Sequence, residues 1–268
     1  MQEVTLVDIR AQPDIEPRPC LRCRGVSKTF GGVKALQNVS FDIHEGGVTS
    51  LIGPNGAGKT TLFNYITGFL PGGQGEVWFK SERIDGWRPH AIARSGLVRT
   101  FQSIRMFAGL TVLESVLVAQ YGAGGAHGIR PLLRKVGWLT GRETGVIEAE
   151  ETLEWLGLID QRNKICTDLP LLAQRKLEVA RAIACRPTLL LLDEPSAGAT
   201  ITESQELMHV VQRLAGAGTT IVVIEHNVPF VMALSNEIWV LNFGEVVAHG
   251  TPLEIRNNAI VQEIYLGA

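Results

Sequence analysis

Gly53-Pro54-Asn55-Gly56-Ala57-Gly58-Lys59-Thr60-Thr61 matches the pattern G-x-x-x-x-G-K-[ST] without a departure. It follows an apolar run, Val48 to Ile52, that reads as a buried strand, and it precedes a stretch of helical character from Lys59 to Thr67. That strand–loop–helix setting is what gives the pattern its meaning. Gly53, Gly56 and Gly58 let the backbone fold tightly enough for successive N–H groups of the loop, Pro54 apart, to face a phosphate chain, with Asn55 and Ala57 as the intervening residues. The helix N-terminus at Thr60 and Thr61 adds its partial positive charge. Lys59 reaches the β- and γ-phosphates, and the Thr60 hydroxyl is placed to ligate Mg²⁺. The reading is a site for a nucleoside triphosphate with its magnesium ion.

A second apolar run, Leu189 to Leu192, ends in Asp193-Glu194. An acid at the end of such a strand suits a Mg²⁺ partner, direct or through water, and the next residue can polarise an attacking water. A third apolar strand, Thr219 to Ile224, ends in Glu225-His226. Taken singly, an acid or a histidine at a strand end is more often a solvated cap than a catalyst.

The order of these pieces resembles the ATP-binding cassette family, and the resemblance runs from about Leu21 to Leu266. It implies an α/β fold: a P-loop NTPase (RecA-like) core, an antiparallel β subdomain and an inserted α-helical subdomain. It also implies roles. Phe30, in Lys28-Thr29-Phe30-Gly31-Gly32, stands where the family stacks an aromatic ring on adenine, the alternative being a core ring. Gln102, in Arg99-Thr100-Phe101-Gln102, stands where a glutamine reaches Mg²⁺ and the attacking water. Asp193, Glu194 and His226 take the roles of metal partner, water-polarising acid and γ-phosphate-sensing histidine. The cofactors implied are ATP and Mg²⁺.

One stretch departs from the family. Gln174 to Ala182 is similar to the helix that follows the signature L-S-G-G-Q, but upstream of it stand Leu169-Pro170-Leu171-Leu172-Ala173. Proline brings neither a hydroxyl nor an N–H donor, and two leucines stand for the glycines that let backbone approach a phosphate. Thr200 stands where the family prefers Asp or Asn, and with Glu203 it forms a helix capping box. The resemblance therefore implies a heterodimer with unequal sites, completed by a second cassette subunit.

Composition agrees with a peripheral subunit. The net charge of −2 comes without the basic block that a nucleic-acid partner would call for. No apolar run approaches the length of a membrane span. Residues 1–19, with Pro13, Pro17 and Pro19, read as a flexible lead-in without a signal-peptide pattern, and 20–268 as one nucleotide-binding domain. Cys20-Leu21-Arg22-Cys23 has no second pair to make a metal site, and the four cysteines read as ordinary thiols of a reducing compartment.

Leu21 to Phe30, Gln37 to Ile43 and Glu76 to Lys80 read as strands of the β subdomain. From about 87 to 170 the pattern turns helical: Pro89 to Ser95, Thr111 to Gln120 with a Thr111/Glu114 capping box, Pro131 to Val136 and Glu148 to Leu156, with Tyr121 to Gly128 a Gly-rich loop. Val240 to Asn242 and Glu245 to His249 read as a hairpin turning at Phe243-Gly244 before a last helix.

Arg99 to Phe107 and the ending from Gly250 to Gly267 resemble the ATPases of branched-chain amino acid importers. Such importers combine two ATPase subunits, two permease subunits and an extracytoplasmic solute-binding protein, which places this chain on the cytoplasmic face of the membrane. The segment around Phe107 is then the one that meets the permease, the alternative being that Met106 and Phe107 are core of the helical subdomain. A urea- or amide-type importer, a non-hydrolysing cassette subunit, and a soluble cassette protein of translation or DNA repair are the competing readings. Against the last, the stretch between Gln102 and Gln174 lacks sustained heptads.

Overall fold

The computed structural model describes residues 19–102, 105–122 and 142–266. The chain begins with the long antiparallel pair β1 (Leu21–Phe30) and β2 (Val33–Ile43). After β3 (Val48–Ile52) and α1 (Lys59–Ile66), β4 (Gln74–Phe79) returns to the other edge of β1, followed by the two-residue β5 (Glu82–Arg83). These four strands make one sheet in the order β2-β1-β4-β5. The expected β subdomain is therefore present, with β5 added.

The nucleotide-binding core is the second sheet. Its strands are β3, β6 (Leu97–Arg99), β7 (Leu189–Asp193), β8 (Thr220–Ile224) and the hairpin β9 (Glu237–Asn242) and β10 (Glu245–Gly250), in the order β10-β9-β3-β8-β7-β6. All neighbours but the hairpin pair are parallel. Val48–Ile52, Leu189–Asp193 and Thr220–Ile224 are buried along their whole length. That is why they read as continuous apolar runs rather than alternating ones. One face of this sheet meets α1 and the β subdomain through Phe41, Phe63 and Leu191. The other face meets the helices through Leu190, Leu192 and Val223.

α3 (Val112–Gly122), α4 (Arg142–Trp155) and α5 (Leu171–Ala184) form the helical part, with Val112, Val116, Ala149, Leu153 and Leu177 among its buried contacts, whereas α2 (Pro89–Arg94) lies against β6 with Ile92 in the other core cluster. The Thr111/Glu114 box is formed: Thr111 N–H donates to Glu114 Oε2 at 2.9 Å, and Glu114 N–H to Thr111 Oγ1 at 3.2 Å. One correction falls here. The stretch read as helical from about 87 contains β6, which pairs with β7 and belongs to the core sheet. Three residues are too few to show a period, so the strand is invisible in the pattern. The expected helix Pro131–Val136, the loop beyond Gly122 and the lead-in through residue 18 lie outside the described residues.

α6 (Ile201–Gly216) and α7 (Val228–Leu234) follow β7 and β8. The single last helix expected after the hairpin is two, α8 (Pro252–Arg256) and α9 (Ala259–Leu266), divided at Asn257-Asn258. Thr251 caps α8 in a reciprocal box with Glu254, and Asn258 Oδ1 accepts the first free N–H groups of α9, from Ile260 and Val261.

Candidate functional site

Three functional segments leave the C-terminal ends of neighbouring parallel strands, which is where open α/β sheets bind their ligands. The phosphate loop leaves β3, Asp193 closes β7, and His226 follows β8, which lies between the other two. Leu51 and Asp193 are both in register with Ile224 of β8, so the loop and the acid emerge at one level.

The loop is held from behind. A Cβ at Gly53 would lie 2.0 Å from the Leu241 carbonyl oxygen, and one at Gly58 2.5 Å from that of Ala35. Both residues have positive φ, so only glycine fits in either respect. The turn between β9 and β10 is sutured to the loop as well, since Gly244 N–H donates to the Ala57 carbonyl at 2.9 Å. Lys59 is 6% exposed and donates to the carbonyls of Gly53 at 2.6 Å and Pro54 at 2.9 Å. Burial pulls its ammonium below the usual lysine range, opposed by the charges of Glu194 and Asp193. Thr60 is exposed at the start of α1.

Asp193 is 2% exposed and divides its carboxylate. Oδ2 accepts from Arg99 Nη2 at 2.6 Å in an ion pair buried on both sides. Oδ1 is buried without a hydrogen-bond partner. A bare buried carboxylate oxygen is costly unless a cation or its water takes it up. The donor set of Asp193, Thr60 and Gln102 is oxygen-based, as Mg²⁺ requires, and so fits that ion. Nothing in the sequence around Arg99 marks it for a role. It also donates to Asn64 Oδ1 at 2.6 Å, and its guanidinium lies 5.5 Å from the Phe63 ring centroid and 5.2 Å from that of Phe101.

Glu194, at φ 48°, turns away from the strand line, and its carboxylate meets the other expected residues. Gln102 Nε2 donates to Glu194 Oε2 at 2.7 Å, and His226 Nδ1 stands 3.9 Å from the same oxygen. Three residues far apart in sequence are thus brought together. The His226 side chain is 55% exposed, so it is open to a ligand rather than spent as a core contact. Phe30 is 46% exposed at the end of β1, with the Lys28 ammonium 5.5 Å from its ring centroid. It is no core ring, and its β1–β2 hairpin includes Ala35, which backs Gly58.

The stretch expected at the signature position displays an apolar start of α5. Pro170 is the N-cap of α5 and supplies no side-chain cap bond. Leu171 is 44% exposed, and Gln174 Nε2 turns back to the Leu169 carbonyl at 2.7 Å. Thr200 caps α6 reciprocally with Glu203 as expected, its hydroxyl 2.9 Å from Glu203 Oε2. Cys20, Cys23 and Cys166 are buried thiols and Cys185 is half-buried; burial pushes Cys20 up to about 11.

With this geometry in place, the likenesses to known proteins are specific. The family described as ABC transporter matches residues 36–197, more than half of the chain. The family described as branched-chain amino acid ATP-binding cassette transporter matches 245–268. The chain is 40% identical over 251 residues to the high-affinity branched-chain amino acid transport ATP-binding protein LivG of Salmonella typhimurium, covering 93% of this chain and 98% of that one. It is 38% identical to the corresponding protein BraF of Pseudomonas aeruginosa, over 93% of this chain and 98% of that one. A crystal structure of a nucleotide-free ATP-binding cassette from an ABC transporter superposes with a TM-score of 0.79 at 33% identity, covering 93% of this chain and all of the other. The chain belongs to the ABC transporter family as an ATP-hydrolysing cassette subunit, and it ends in the segment that marks the branched-chain amino acid branch of that family.

Proposed function

We propose that this chain hydrolyses ATP to drive uptake of branched-chain or related amino acids. It does so with a second, different cassette subunit, two permease subunits and a solute-binding protein on the far side of the membrane. On this reading it sits peripherally on the cytoplasmic face; none of the described helices is long and apolar enough to cross a bilayer. The solute class rests on the LivG and BraF likeness and on the match at 245–268. Residues 20–268 act as one nucleotide-binding domain, with the helical part, about 87–170, as its permease-facing portion and β6 with α2 set apart in the core.

The observation that carries the hydrolytic reading is the 2.7 Å hydrogen bond from Gln102 to Glu194 at the mouth of the phosphate loop, with His226 beside them. Lys59 and the loop N–H groups bind the β- and γ-phosphates, and Phe30 stacks on the adenine. Glu194 accepts a proton from the attacking water, which Gln102 orients, and His226 donates toward the γ-phosphate. Thr60, Asp193 and Gln102 would hold Mg²⁺, which when bound would offset charge on the phosphates.

Asymmetry follows from the start of α5. In a cassette dimer each ATP lies between the phosphate loop of one subunit and the signature of the other. Two copies of this chain would face both nucleotides with Pro170-Leu171-Leu172-Ala173. Each charge-assisted hydrogen bond lost is worth about 1.5–3 kcal/mol, roughly 10- to 150-fold in affinity. The site that uses Lys59, Glu194 and His226 is therefore completed by a partner's signature and turns over. The opposite site binds nucleotide and turns over slowly. The test places Glu→Gln separately at each catalytic position of the assembled transporter. Transport should stop with Glu194→Gln and continue with the partner's change; the reverse result overturns the assignment.

A further inference from the structure

Two buried charged side chains that the catalytic reading leaves unused, Glu225 and Arg175, close a circuit through Glu194. Gln102 donates to Glu194 with its side chain, while its own backbone carbonyl accepts from Arg175 Nη1 at 3.1 Å. Arg175 Nη2 reaches the Ala197 carbonyl at 3.4 Å. Ser196, the preceding residue, donates its N–H to Glu225 Oε1 at 2.8 Å. Glu225 Oε2 accepts the N–H groups of His226 at 3.1 Å and Asn227 at 3.4 Å, and the His226 ring completes the loop by proximity, its Nδ1 3.9 Å from Glu194 Oε2.

Glu225 is 0% exposed and Arg175 9%. Burying a carboxylate costs several kcal/mol unless hydrogen bonds to its charged form compensate. Here the three donors come from two different turns, one per oxygen. An apolar side chain there would leave the N–H groups of Ser196, His226 and Asn227 without their acceptor, so the acid is called for by the two turns it holds and not by the filling of space. Arg175 repeats the arrangement with opposite sign, one nitrogen on the Gln102 segment and the other on the Ala197 segment. Its bridging geometry needs two separated donors, which the guanidinium has and an ammonium lacks.

We propose that Glu225 and Arg175 are positioning residues that bind the Gln102 segment, the Glu194–Ala197 turn and the His226 turn into one mechanical unit. A displacement of His226 is thereby passed to the Glu194–Ala197 turn. The proposal rests on the reading of Gln102, Glu194 and His226 as γ-phosphate-side groups.

The test uses the assembled transporter with Glu225→Gln, Arg175→Lys and the double variant, beside His226→Ala and Gln102→Ala. Glu225→Gln keeps shape but puts an amide NH₂ against one set of backbone donors and so releases one turn. Expected for Glu225→Gln is a kcat lowered about tenfold or more, as for one charge-assisted hydrogen bond. KM for ATP, and the affinity of the full chain for a non-hydrolysable ATP analogue, should stay within about twofold. The double variant should be no slower than the slower single one, because a circuit opened once is already open. Independent structural defects would instead multiply. If Glu225→Gln does not fold, Arg175→Lys carries the test with the same split between kcat and KM. Should His226→Ala and Gln102→Ala leave turnover unchanged, the underlying catalytic reading fails. If those two slow turnover while Glu225→Gln and Arg175→Lys do not, or if all effects appear in KM, the circuit is overturned and the catalytic reading stands.

Discussion

At the phosphate loop the polar groups are gathered toward a common point, whereas at the start of α5 they are turned inward. Lys59 lies across the Gly53 and Pro54 carbonyls, Glu194 receives Gln102, and Asp193 keeps one buried oxygen bare beside its bond to Arg99. In the other region the Gln174 amide is bonded to Leu169 within the same chain, Thr200 is committed to Glu203, and leucine occupies the exposed position. Both regions satisfy the needs of folding. They differ in what is left for a nucleotide: near the loop Asp193 Oδ1 is buried without a partner and the His226 side chain is open, whereas at the start of α5 the open side chain is a leucine. On the proposed asymmetric reading, the chain retains its own half of the chemistry and gives up the half it would lend to a partner.

The largest expected effect breaks the first region outright. Lys59→Ala removes the cation that meets the β- and γ-phosphates, and each charge-assisted bond lost lowers affinity roughly 10- to 150-fold. Equilibrium binding of ATP to the full chain should fall at least that far, with transport abolished. Wild-type affinity in this variant would remove the phosphate loop from the comparison altogether.

Glu194→Gln should leave ATP affinity near wild type and lower the turnover of the assembled transporter by about 10²- to 10⁴-fold, the range for losing a general base. Its ATP-bound, closed form should accumulate, measured as trapped nucleotide. An unchanged turnover number would mean that hydrolysis belongs to the opposite site.

The sequence discloses one of these regions more fully than the other, for a physical reason. Phosphate binding needs backbone N–H groups in a row, so Gly53 to Lys59 must be contiguous and can be read directly. The capping boxes at Thr111 and Thr200 are just as local, and both are present. Arg99 carries no such mark: its partner Asp193 is 94 positions away, and nothing in R-T-F-Q distinguishes a buried guanidinium from a solvated one. Glu225 likewise reads as a strand-end cap until Ser196, 29 positions before it, is seen to donate to it. The strand β6 failed to appear for want of length. Contacts that cross between elements are set by topology, which local sequence does not encode and the family resemblance alone implies.

A smaller effect compares ion pairs from the two regions. Arg99→Met leaves Asp193 buried and unpaired, which should cost about 3–5 kcal/mol. On α5, Lys176 pairs with Glu206 at 2.8 Å with the acid 47% exposed. Lys176→Met should cost at most about 1 kcal/mol. Thermal unfolding of the two variants checks this, each kcal/mol lowering Tm by roughly 2–4 °C in a chain of this size. Equal shifts would mean that the Arg99–Asp193 pair is no more protected from solvent than a surface contact.

The smallest effect probes whether Thr200 is held for the fold or for the interface. Thr200→Ala removes the N-cap of α6 and should cost about 1 kcal/mol, lowering Tm by roughly 2–4 °C, with turnover of the assembled transporter unchanged. Thr200→Asp restores an acid at the position while aspartate still caps the helix, so Tm should stay near wild type. Its Oδ atoms, however, take over the cap bond from Glu203 N–H that the hydroxyl holds at 3.3 Å, and on the proposed asymmetric reading Leu171 and Leu172 still stand where the opposite nucleotide needs glycine. Turnover at the opposite site should therefore not rise. A clear rise with Thr200→Asp alone would show that the loop after Ser196, and not the leucines at the start of α5, limits that site, and the contrast between the two regions would narrow to a single residue.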